Sequence, residues 1–410
     1  MNFNTFYKNL QTRTAKNTGA GLVAFGRLLA RLQHPQNQYK IIHVAGTNGK
    51  GTVCTLLAHT LTCAGYETGL FISPHLISPT ERIQLNGQSI SEADFCQAVQ
   101  TVLAAEQEPL NFFEVLTAAA LVYFAVQQAK YVVLETGLGG RKDPTNIGTP
   151  VLAIISAIGL DHTRVLGSTL SQISAEKAGI MKPGVPVLCG DTTPEAARVL
   201  EQTAITQRAP LTWVKEGVPF YEYAYDFVNG FTTLHTADRT EWDLHLLGSN
   251  QTQNACLVYH AARQLGVPEN AIQTAFETVR LPGRFERIKK DNTTFILDGA
   301  HNPQAMQGLL HFWQKTPYAL QKPTLLCGFM KDKDFKQMLS LLTPHFARVI
   351  ITVPPAARGA TAEDFDEWLR VPHITFEPNY RAAISLARKE PVVLCTGSFY
   401  LVGAVHELIV

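Results

Sequence analysis

The chain has 410 residues, more than one hydrophobic core usually supports, so two domains are expected. Hydrophobic residues make up 46% of the sequence and charged residues 17%, as in an ordinary soluble globular protein. The formal net charge of +1 excludes a generally basic surface for nucleic acid or for an acidic membrane. Any anionic ligand must therefore be bound by local groups.

The seven cysteines are scattered and form no C-x-x-C pair, which argues against a zinc site or a disulfide framework. This pattern is typical of a reducing compartment. The amino terminus lacks the basic start and long apolar run of a signal peptide. No apolar stretch reaches the roughly 18–20 residues that a membrane span needs. We therefore expect a cytoplasmic protein with no membrane partner.

A strand, a tight loop and a helix are predicted between residues 41 and 58. The loop reads Gly46-Thr47-Asn48-Gly49-Lys50-Gly51-Thr52. Glycines let backbone N–H groups point inward, the helix N-terminus adds partial positive charge, and Lys50 adds a full charge. Phosphate is the expected ligand, with the Thr52 hydroxyl available to Mg²⁺. The usual G-x-x-x-x-G-K-[ST] pattern is incomplete, because Val44 replaces its first glycine and Gly51 precedes Thr52, so a plain glycine turn is the alternative.

Three further strands of this region are predicted to end in polar residues. A strand over 69–73 leads into Ser73-Pro74-His75-Leu76, a strand over 131–136 carries Glu135 and enters a glycine-rich loop, and a strand over 151–157 precedes Asp161-His162. Carboxyl ends of parallel strands meet at the ligand-binding edge of a sheet, where a carboxylate suits Mg²⁺. The alternatives are a rigid turn at Pro74 and a structural histidine at position 162.

Residues 112–126 form a long apolar segment that predicts a helix, with Glu114 near its start. The carboxylate is expected to cap the helix, and a role facing a ligand is the alternative. From 219 to 247, short alternating stretches with Tyr223, Tyr225 and Trp242 predict an antiparallel annex. A helix starting at Asn250 and Gln251 follows, with Asn254 one turn in.

The predicted first domain spans residues 1–281 and a linker with Arg284 spans 282–292. Residues 293–410 then form a smaller α/β domain whose first strand ends at Asp298-Gly299-Ala300-His301. Its strands and helices are predicted at 294–297, 303–315, 324–327, 335–342, 349–353, 362–369, 381–389 and 392–395. The predicted fold is α/β: a mostly parallel, phosphate-loop sheet domain with an antiparallel annex, and a smaller Rossmann-like C-terminal domain. A phosphate loop, Mg²⁺ ligands and a second domain facing the first are typical of an ATP-using enzyme that closes on two substrates.

Eight segments occur in order that together resemble one family, over Leu22 to Gly403. They are His43 to Thr52, Ser73-Pro74-His75-Leu76, Glu81-Arg82-Ile83, Glu135 to Arg141, Asp161-His162, Glu176-Lys177-Ala178-Gly179-Ile180, Pro282-Gly283-Arg284-Phe285 and Asp298 to Pro303. The chain resembles the folylpolyglutamate synthase / dihydrofolate synthase family, the folate branch of the Mur ligase superfamily.

The resemblance implies ATP-dependent amide formation between the carboxylate of a folate or dihydropteroate and the amino group of L-glutamate. ATP converts the carboxylate into an acyl phosphate, which the amine attacks, and Lys50 and Mg²⁺ neutralise the developing charge. A bifunctional, monomeric enzyme is expected, and one that only extends the glutamate chain is the alternative. Further alternatives are a peptidoglycan Mur ligase and a non-catalytic nucleotide-binding module.

The resemblance also assigns roles to individual positions. For ATP and metal, Gly46 to Thr52 hold the triphosphate, Thr52 and Glu135 bind the first Mg²⁺, His162 binds a second, and Lys177 is a carbamylated metal-binding lysine. For the nucleotide, Asn254 lies beside adenine with Asn250 or Gln251 assisting, Arg284 touches phosphate, Asp298 binds ribose and His301 approaches the γ-phosphate. For the pterin, the matching positions are Ser73, Pro74, His75, Leu76, Arg82, Phe113 and Asp143, and Glu114 is included among the substrate residues. Two residues near them depart from the family pattern, Asn111 in place of threonine and Pro144 in place of alanine.

Overall fold

The computed structural model describes residues 2–13, 21–215, 217–220, 222–248, 250–321 and 323–410. Its strands, in chain order, are β1 (Lys40–Ala45), β2 (Thr68–Phe71), β3 (Ile83–Leu85), β4 (Gln88–Ser89), β5 (Tyr131–Glu135), β6 (Leu152–Ile155), β7 (Val187–Gly190), β8 (Leu211–Val214), β9 (Glu222–Asp226), β10 (Phe231–His235), β11 (Glu241–Leu244), β12 (Glu286–Lys290), β13 (Thr293–Leu297), β14 (Thr324–Cys327), β15 (Arg348–Ile351), β16 (Ile374–Phe376) and β17 (Val392–Thr396).

The α-helices are α1 (Phe3–Gln11), α2 (Gly21–Arg31), α3 (Lys50–Cys63), α4 (Glu92–Ala105), α5 (Phe112–Val126), α6 (Thr163–Leu166), α7 (Leu170–Ala178), α8 (Pro194–Gln207), α9 (Gln251–Gln264), α10 (Glu269–Thr278), α11 (Pro303–Trp313), α12 (Phe335–Leu342), α13 (Tyr380–Ala387) and α14 (Phe399–Ile409). Short 3₁₀ turns lie at Pro35–Asn37, Pro79–Arg82, Ala319–Gln321, Thr343–His345, Ala362–Phe365 and Trp368–Arg370.

The chain divides into two compact units, one of residues 1–220 and 253–277 and one of residues 221–252 and 278–410. The predicted first domain ends at residue 281, whereas residues 221–252 cluster with the second unit. The mostly parallel sheet of the first unit has the order β4-β3-β2-β5-β1-β6-β7-β8, with β3 and β4 antiparallel. Because β1 lies between β5 and β6, the loops after these three strands share one edge of the sheet.

Buried apolar residues explain why β1 is central. After Lys40, every residue of this strand is buried, as expected for a parallel strand covered by helices on both faces. On one side, α5 supplies a large apolar surface to the core. Its N-terminus is closed by a capping box in which Asn111 accepts from the Glu114 N–H and Glu114 accepts from the Asn111 N–H.

The second unit contains two sheets. One is the antiparallel sheet β11-β10-β9, which confirms the predicted antiparallel pairing in this region. The other has the order β12-β13-β17-β14-β15-β16 and is parallel except for β12. The predicted α/β fold class is confirmed, with a mostly parallel sheet in each unit.

Two predictions for the second unit are wrong in detail. Part of the predicted linker is the strand β12, which pairs with β13 across a tight turn where Asp291 has a φ of +53°. The predicted helix over 362–369 is two short 3₁₀ turns. Four acidic side chains crowd this segment, at positions 363, 364, 366 and 367, and like charges at helical spacing disfavour a continuous helix. Among the helices of the described segments, none is long and apolar enough to cross a membrane.

Candidate active site

The phosphate loop lies tightly against the strand-end loop that follows β6. A Cβ atom on Gly46 would lie 1.9 Å from Ser156 Oγ, and that hydroxyl donates to the Asn48 carbonyl at 2.7 Å. Gly49, the N-cap of α3, has a φ of +85°, and a Cβ there would lie 2.5 Å from Asn254 Oδ1. Both positions therefore require glycine, one for space and the other also for its backbone conformation.

Two side chains of the phosphate loop donate hydrogen bonds to carbonyl oxygens within the first unit. Thr47 Oγ1 donates to the Gly159 carbonyl at 2.9 Å, which ties the loop to the segment that follows β6. Lys50 Nζ donates to the Thr47 carbonyl at 3.3 Å, so its charge lies over the loop. Thr52 is buried in the first turn of α3. Since Gly49 has no side chain to cap α3, the first N–H groups of that helix are suited to an external anion.

Glu135 ends β5, which is paired directly with β1. The side chain is buried, and its Oε2 accepts the Ser73 N–H at 2.9 Å. Among the described residues, no three His, Cys, Asp or Glu side chains come close enough to hold a metal ion by themselves. Mg²⁺ commonly uses one or two protein oxygens together with phosphates and waters, so a carboxylate and a threonine hydroxyl beside a phosphate loop fit that ion.

His162 follows β6 and begins α6 with a left-handed φ of +50°. Its backbone N–H donates to Asp161 Oδ1 at 2.7 Å, and its Nε2 lies 3.9 Å from Asp161 Oδ2. The imidazole is exposed, whereas the Asp161 carboxylate is largely covered. Asp161 therefore fixes the backbone of His162, and its carboxylate lies near the exposed ring.

Lys177 lies at the end of α7 and is only 3% exposed. Its Nζ donates to the Gly46 carbonyl at 2.6 Å. Burial, and then the charge of Lys50, lowers the pKa of Lys177 to about 7, against opposing effects of Asp161 and Asp143. A substantial fraction of this amine is therefore neutral near pH 7.

The predicted pterin segment after β2 is built around Glu81 and His75. The Glu81 carboxylate accepts the N–H groups of Leu76, Ile77 and Ser78, which fixes the loop. Arg82 Nε donates to His75 Nδ1 at 2.8 Å. Burial, and then the Arg82 charge, lowers the pKa of His75 to about 3. The imidazole is thus neutral, with its hydrogen on Nε2, and Pro74 beside it is exposed.

Phe113, Glu114 and Asp143 are the other predicted pterin residues. The Phe113 ring lies against Gly137, where an added Cβ would be 2.4 Å from Cζ. Glu114 caps α5, which agrees with the structural interpretation of that carboxylate. Asp143 is buried and accepts from the Leu138 N–H at 2.7 Å and from the Thr145 hydroxyl at 2.6 Å. Burial raises the pKa of Asp143, and these donors oppose the rise.

In the second unit, a cluster of polar side chains lies near the ends of β13 and β17. The buried Asp298 accepts from the N–H groups of Phe285 at 3.0 Å and Ala300 at 2.9 Å. Burial raises the pKa of Asp298, and nearby Arg284 opposes the rise. The Arg284 guanidinium lies 4.6 Å from the centre of the Phe399 ring. The centre of the His301 ring lies 5.7 Å from the centre of the same phenylalanine ring.

The predicted adenine residues fall in different units. Asn254 belongs to the first unit and lies against Gly49 of the phosphate loop. Asn250 and Gln251 belong to the second unit, where a Cβ on Gly308 would lie 3.0 Å from Asn250 Nδ2. Gln251 begins α9 and is buried.

Several site residues were not predicted from the sequence. Ser156 and Phe399 each contact a predicted residue that lies far away in the chain, and Thr145 contacts Asp143, two positions before it. His43 lies within the apolar strand β1, and a histidine in such a strand is the one sequence signal of a buried polar contact there. Asn111 departs from the expected threonine, yet both residue types are good N-caps, so the departure preserves the start of α5.

Comparison with known proteins identifies the family from both parts of the chain. A family model described as "Mur ligase middle domain" matches residues 44–262, and one described as "Mur ligase, glutamate ligase domain" matches residues 283–399. A parallel sheet with a phosphate loop, followed by this second α/β unit, thus defines a Mur ligase.

Individual relatives show which branch of the Mur ligases the chain resembles. The dihydrofolate synthase/folylpolyglutamate synthase of Bacillus subtilis (strain 168) is 32% identical over 409 residues, which cover 94% of each chain. The structure of E. coli FolC in complex with DHPP and ADP has a TM-score of 0.86 and 32% identity, covering 100% of this chain and 98% of that one. Mycobacterium tuberculosis folylpolyglutamate synthase complexed with ADP and AMPPCP has a TM-score of 0.89 and 26% identity, covering 99% and 98%. The chain belongs to the dihydrofolate synthase/folylpolyglutamate synthase family.

Proposed function

We propose that the chain is an ATP-dependent ligase that joins L-glutamate to the carboxylate of a folate or of dihydropteroate. The observation that carries this proposal is the contact of Glu135 with Ser73. It joins the carboxylate beside the phosphate loop to the Ser73-Pro74-His75-Leu76 loop, at one edge of the sheet. The names of the relatives, which combine dihydrofolate synthase with folylpolyglutamate synthase, support the same reaction.

The chemistry requires activation of a poor electrophile. A carboxylate oxygen of the pterin substrate attacks the γ-phosphorus of ATP, and ADP leaves. The amine nitrogen of glutamate then attacks the acyl phosphate carbon, loses a proton, and phosphate departs as the amide forms. Lys50 and the N–H groups at the start of α3 stabilise the negative charge that accumulates during phosphoryl transfer.

Thr52 and Glu135 would hold a first Mg²⁺, and His162 with Lys177 a second. Bound Mg²⁺ would supply positive charge to the phosphate oxygens. Asp161 accepts the backbone N–H of His162, and its carboxylate lies 3.9 Å from Nε2 of the ring. We assign Arg284 to a phosphate, Asp298 to the ribose and His301 to the γ-phosphate. Asn250, Gln251 and Asn254 are assigned to positions near adenine.

Lys177 would act as a carbamate. The neutral amine attacks CO₂, one proton is released, and the product keeps one N–H that can still donate to the Gly46 carbonyl. The lowered pKa of Lys177 supports this step, since only the unprotonated amine reacts. Incubation with ¹³C-bicarbonate should give a carbamate carbon signal in NMR spectra that is missing from Lys177→Met.

Purified protein with ATP, L-glutamate and a panel of pterins tests the reaction. We expect ADP release and a product heavier by one glutamyl unit with both dihydropteroate and tetrahydrofolate. Turnover with tetrahydrofolate alone would leave a chain-extending enzyme, while turnover only with a UDP-muramyl peptide would indicate a peptidoglycan ligase. Turnover with none of these would leave a nucleotide-binding module. We also expect a cytoplasmic monomer, which fractionation and light scattering would check.

A further inference from the structure

A buried histidine lies in β1, three residues before Gly46. His43 is 2% exposed, and its neighbours in the strand are the apolar residues Ile42 and Val44. Burying an imidazole in such a strand is unfavourable unless its polar atoms are hydrogen-bonded. Its Nε2 lies 2.8 Å from Thr145 Oγ1, a residue more than 100 positions away in the chain.

The direction of this hydrogen bond follows from its neighbour. The Thr145 hydroxyl has a single hydrogen, which it donates to Asp143 Oδ1 at 2.6 Å. Towards His43 the hydroxyl must therefore accept, so the hydrogen of the imidazole is on Nε2. Burial, and then the charge of Lys182, lowers the pKa of His43 to about 3, which agrees with a neutral donor.

The chain of hydrogen bonds continues into the glycine-rich loop after β5. The other oxygen of Asp143, Oδ2, accepts the Leu138 N–H at 2.7 Å, and the adjacent Gly137 lies against the Phe113 ring. His43, Thr145 and Asp143 are each at most 3% exposed. The phosphate loop is fastened through other residues, among them Ser156, Gly159, Lys177 and Asn254.

We propose that His43 is a positioning residue for the pterin substrate. It donates to Thr145, whose hydroxyl is thereby held towards Asp143. Asp143 in turn holds the Leu138 N–H, next in the chain to Gly137, which lies against the Phe113 ring. Each bond of the chain polarises the next, so loss of the first donor loosens the loop at the far end. This inference rests on the proposed function, since it needs Phe113 and the glycine-rich loop to contact the pterin.

The test compares His43→Leu with His43→Gln in steady-state kinetics. Leucine fills similar space without a donor, whereas the glutamine amide can place an N–H near the former Nε2. We expect His43→Leu to raise KM for the pterin substrate about tenfold, the value of one hydrogen bond in a buried network. The KM for ATP should change by less than about twofold, and His43→Gln should recover most of the loss.

Thr145→Val and Thr145→Ser repeat the test at the next bond, and Ile42→Val is the control. The valine variant loses the hydroxyl and should raise the pterin KM, while the serine variant keeps it. Ile42→Val, equally buried on β1, should lower the unfolding temperature without changing either KM. An equal rise of both KM values in His43→Leu, or no recovery with glutamine, would overturn the inference. A parent protein without ligase activity would instead overturn the proposed function.

Discussion

The Nζ atom of Lys177 lies 2.6 Å from the carbonyl oxygen of Gly46, so the end of α7 is hydrogen-bonded directly to the first residue of the phosphate loop. The amine is buried and its pKa is lowered to about 7. The Lys177 side chain therefore both contacts the phosphate loop and changes its protonation near neutral pH.

Lys177→Met should change how stability depends on pH. Because the folded-state pKa of Lys177 is about 7 and the ordinary value is 10.5, the unfolded chain binds more protons between these values. The contribution of this group to the free energy of unfolding therefore rises with pH from about 7 to about 10. Urea unfolding in CO₂-free buffers across that window should show a shallower rise for Lys177→Met. An unchanged slope would contradict the assigned burial effect.

Gly49→Ala should impair ATP binding and stability together. The substitution meets a φ of +85° and a contact of 2.5 Å with Asn254 Oδ1. We expect a loss of about 1–3 kcal/mol in the free energy of unfolding, together with a higher KM for ATP.

Gly65→Ala is the matched control for that variant. Gly65 has a similar φ of +81°, but nothing lies within 4 Å of an added Cβ. It should cost about 1 kcal/mol of stability from backbone strain alone, with the KM for ATP unchanged. Identical effects of the two variants on KM would show that the contact with Asn254 is irrelevant to the loop.

Lys50→Met should reduce kcat by at least about 100-fold, because one preorganised charge at the transferring phosphoryl group is removed. The protein should remain folded by circular dichroism, since Lys50 is only partly buried. Lys40→Met, at the exposed start of β1, is the control and should retain the parent rate. Equal rates for all three proteins would refute the role of the phosphate loop.

Phe399→Leu should raise the KM for ATP by up to about tenfold, because Arg284 and His301 both contact this ring. Phe399→Tyr keeps the ring and should stay close to the parent. Tyr400→Leu, the exposed next residue, serves as the control. If leucine and tyrosine at position 399 give the same KM, the ring does not position these two residues.

Elements with a clear local pattern were predictable from sequence, and short edge strands were not. Residues 112–126, 324–327 and 335–342 match α5, β14 and α12 at both ends, because apolar spacing and polar flanks define them locally. The two-residue β4 and the three-residue β16 depend on neighbouring strands for their pairing. No local pattern could mark them reliably.

The sequence predicted which loops form the candidate site but not the hydrogen bonds inside those loops. Glu135 and Ser73 lie at strand ends of one sheet, as their sequence context indicated. The internal partners of Asp143 and Asp298 were not foreseen, because each carboxylate is satisfied by backbone N–H groups of the folded loop. A motif identifies which residues gather, whereas their hydrogen bonds depend on tertiary structure.

The hydrogen bond from Ser73 to Glu135 has a thermodynamic corollary. If Glu135 ligates Mg²⁺, the same carboxylate contacts both the metal and the backbone N–H of Ser73 in the substrate loop. Any coupling between them is reciprocal: a pterin that reorganises the loop changes metal affinity by the same factor by which the metal changes pterin affinity. Binding titrations of either ligand, with and without the other, should then close a thermodynamic cycle whose coupling free energy Ser73 mediates.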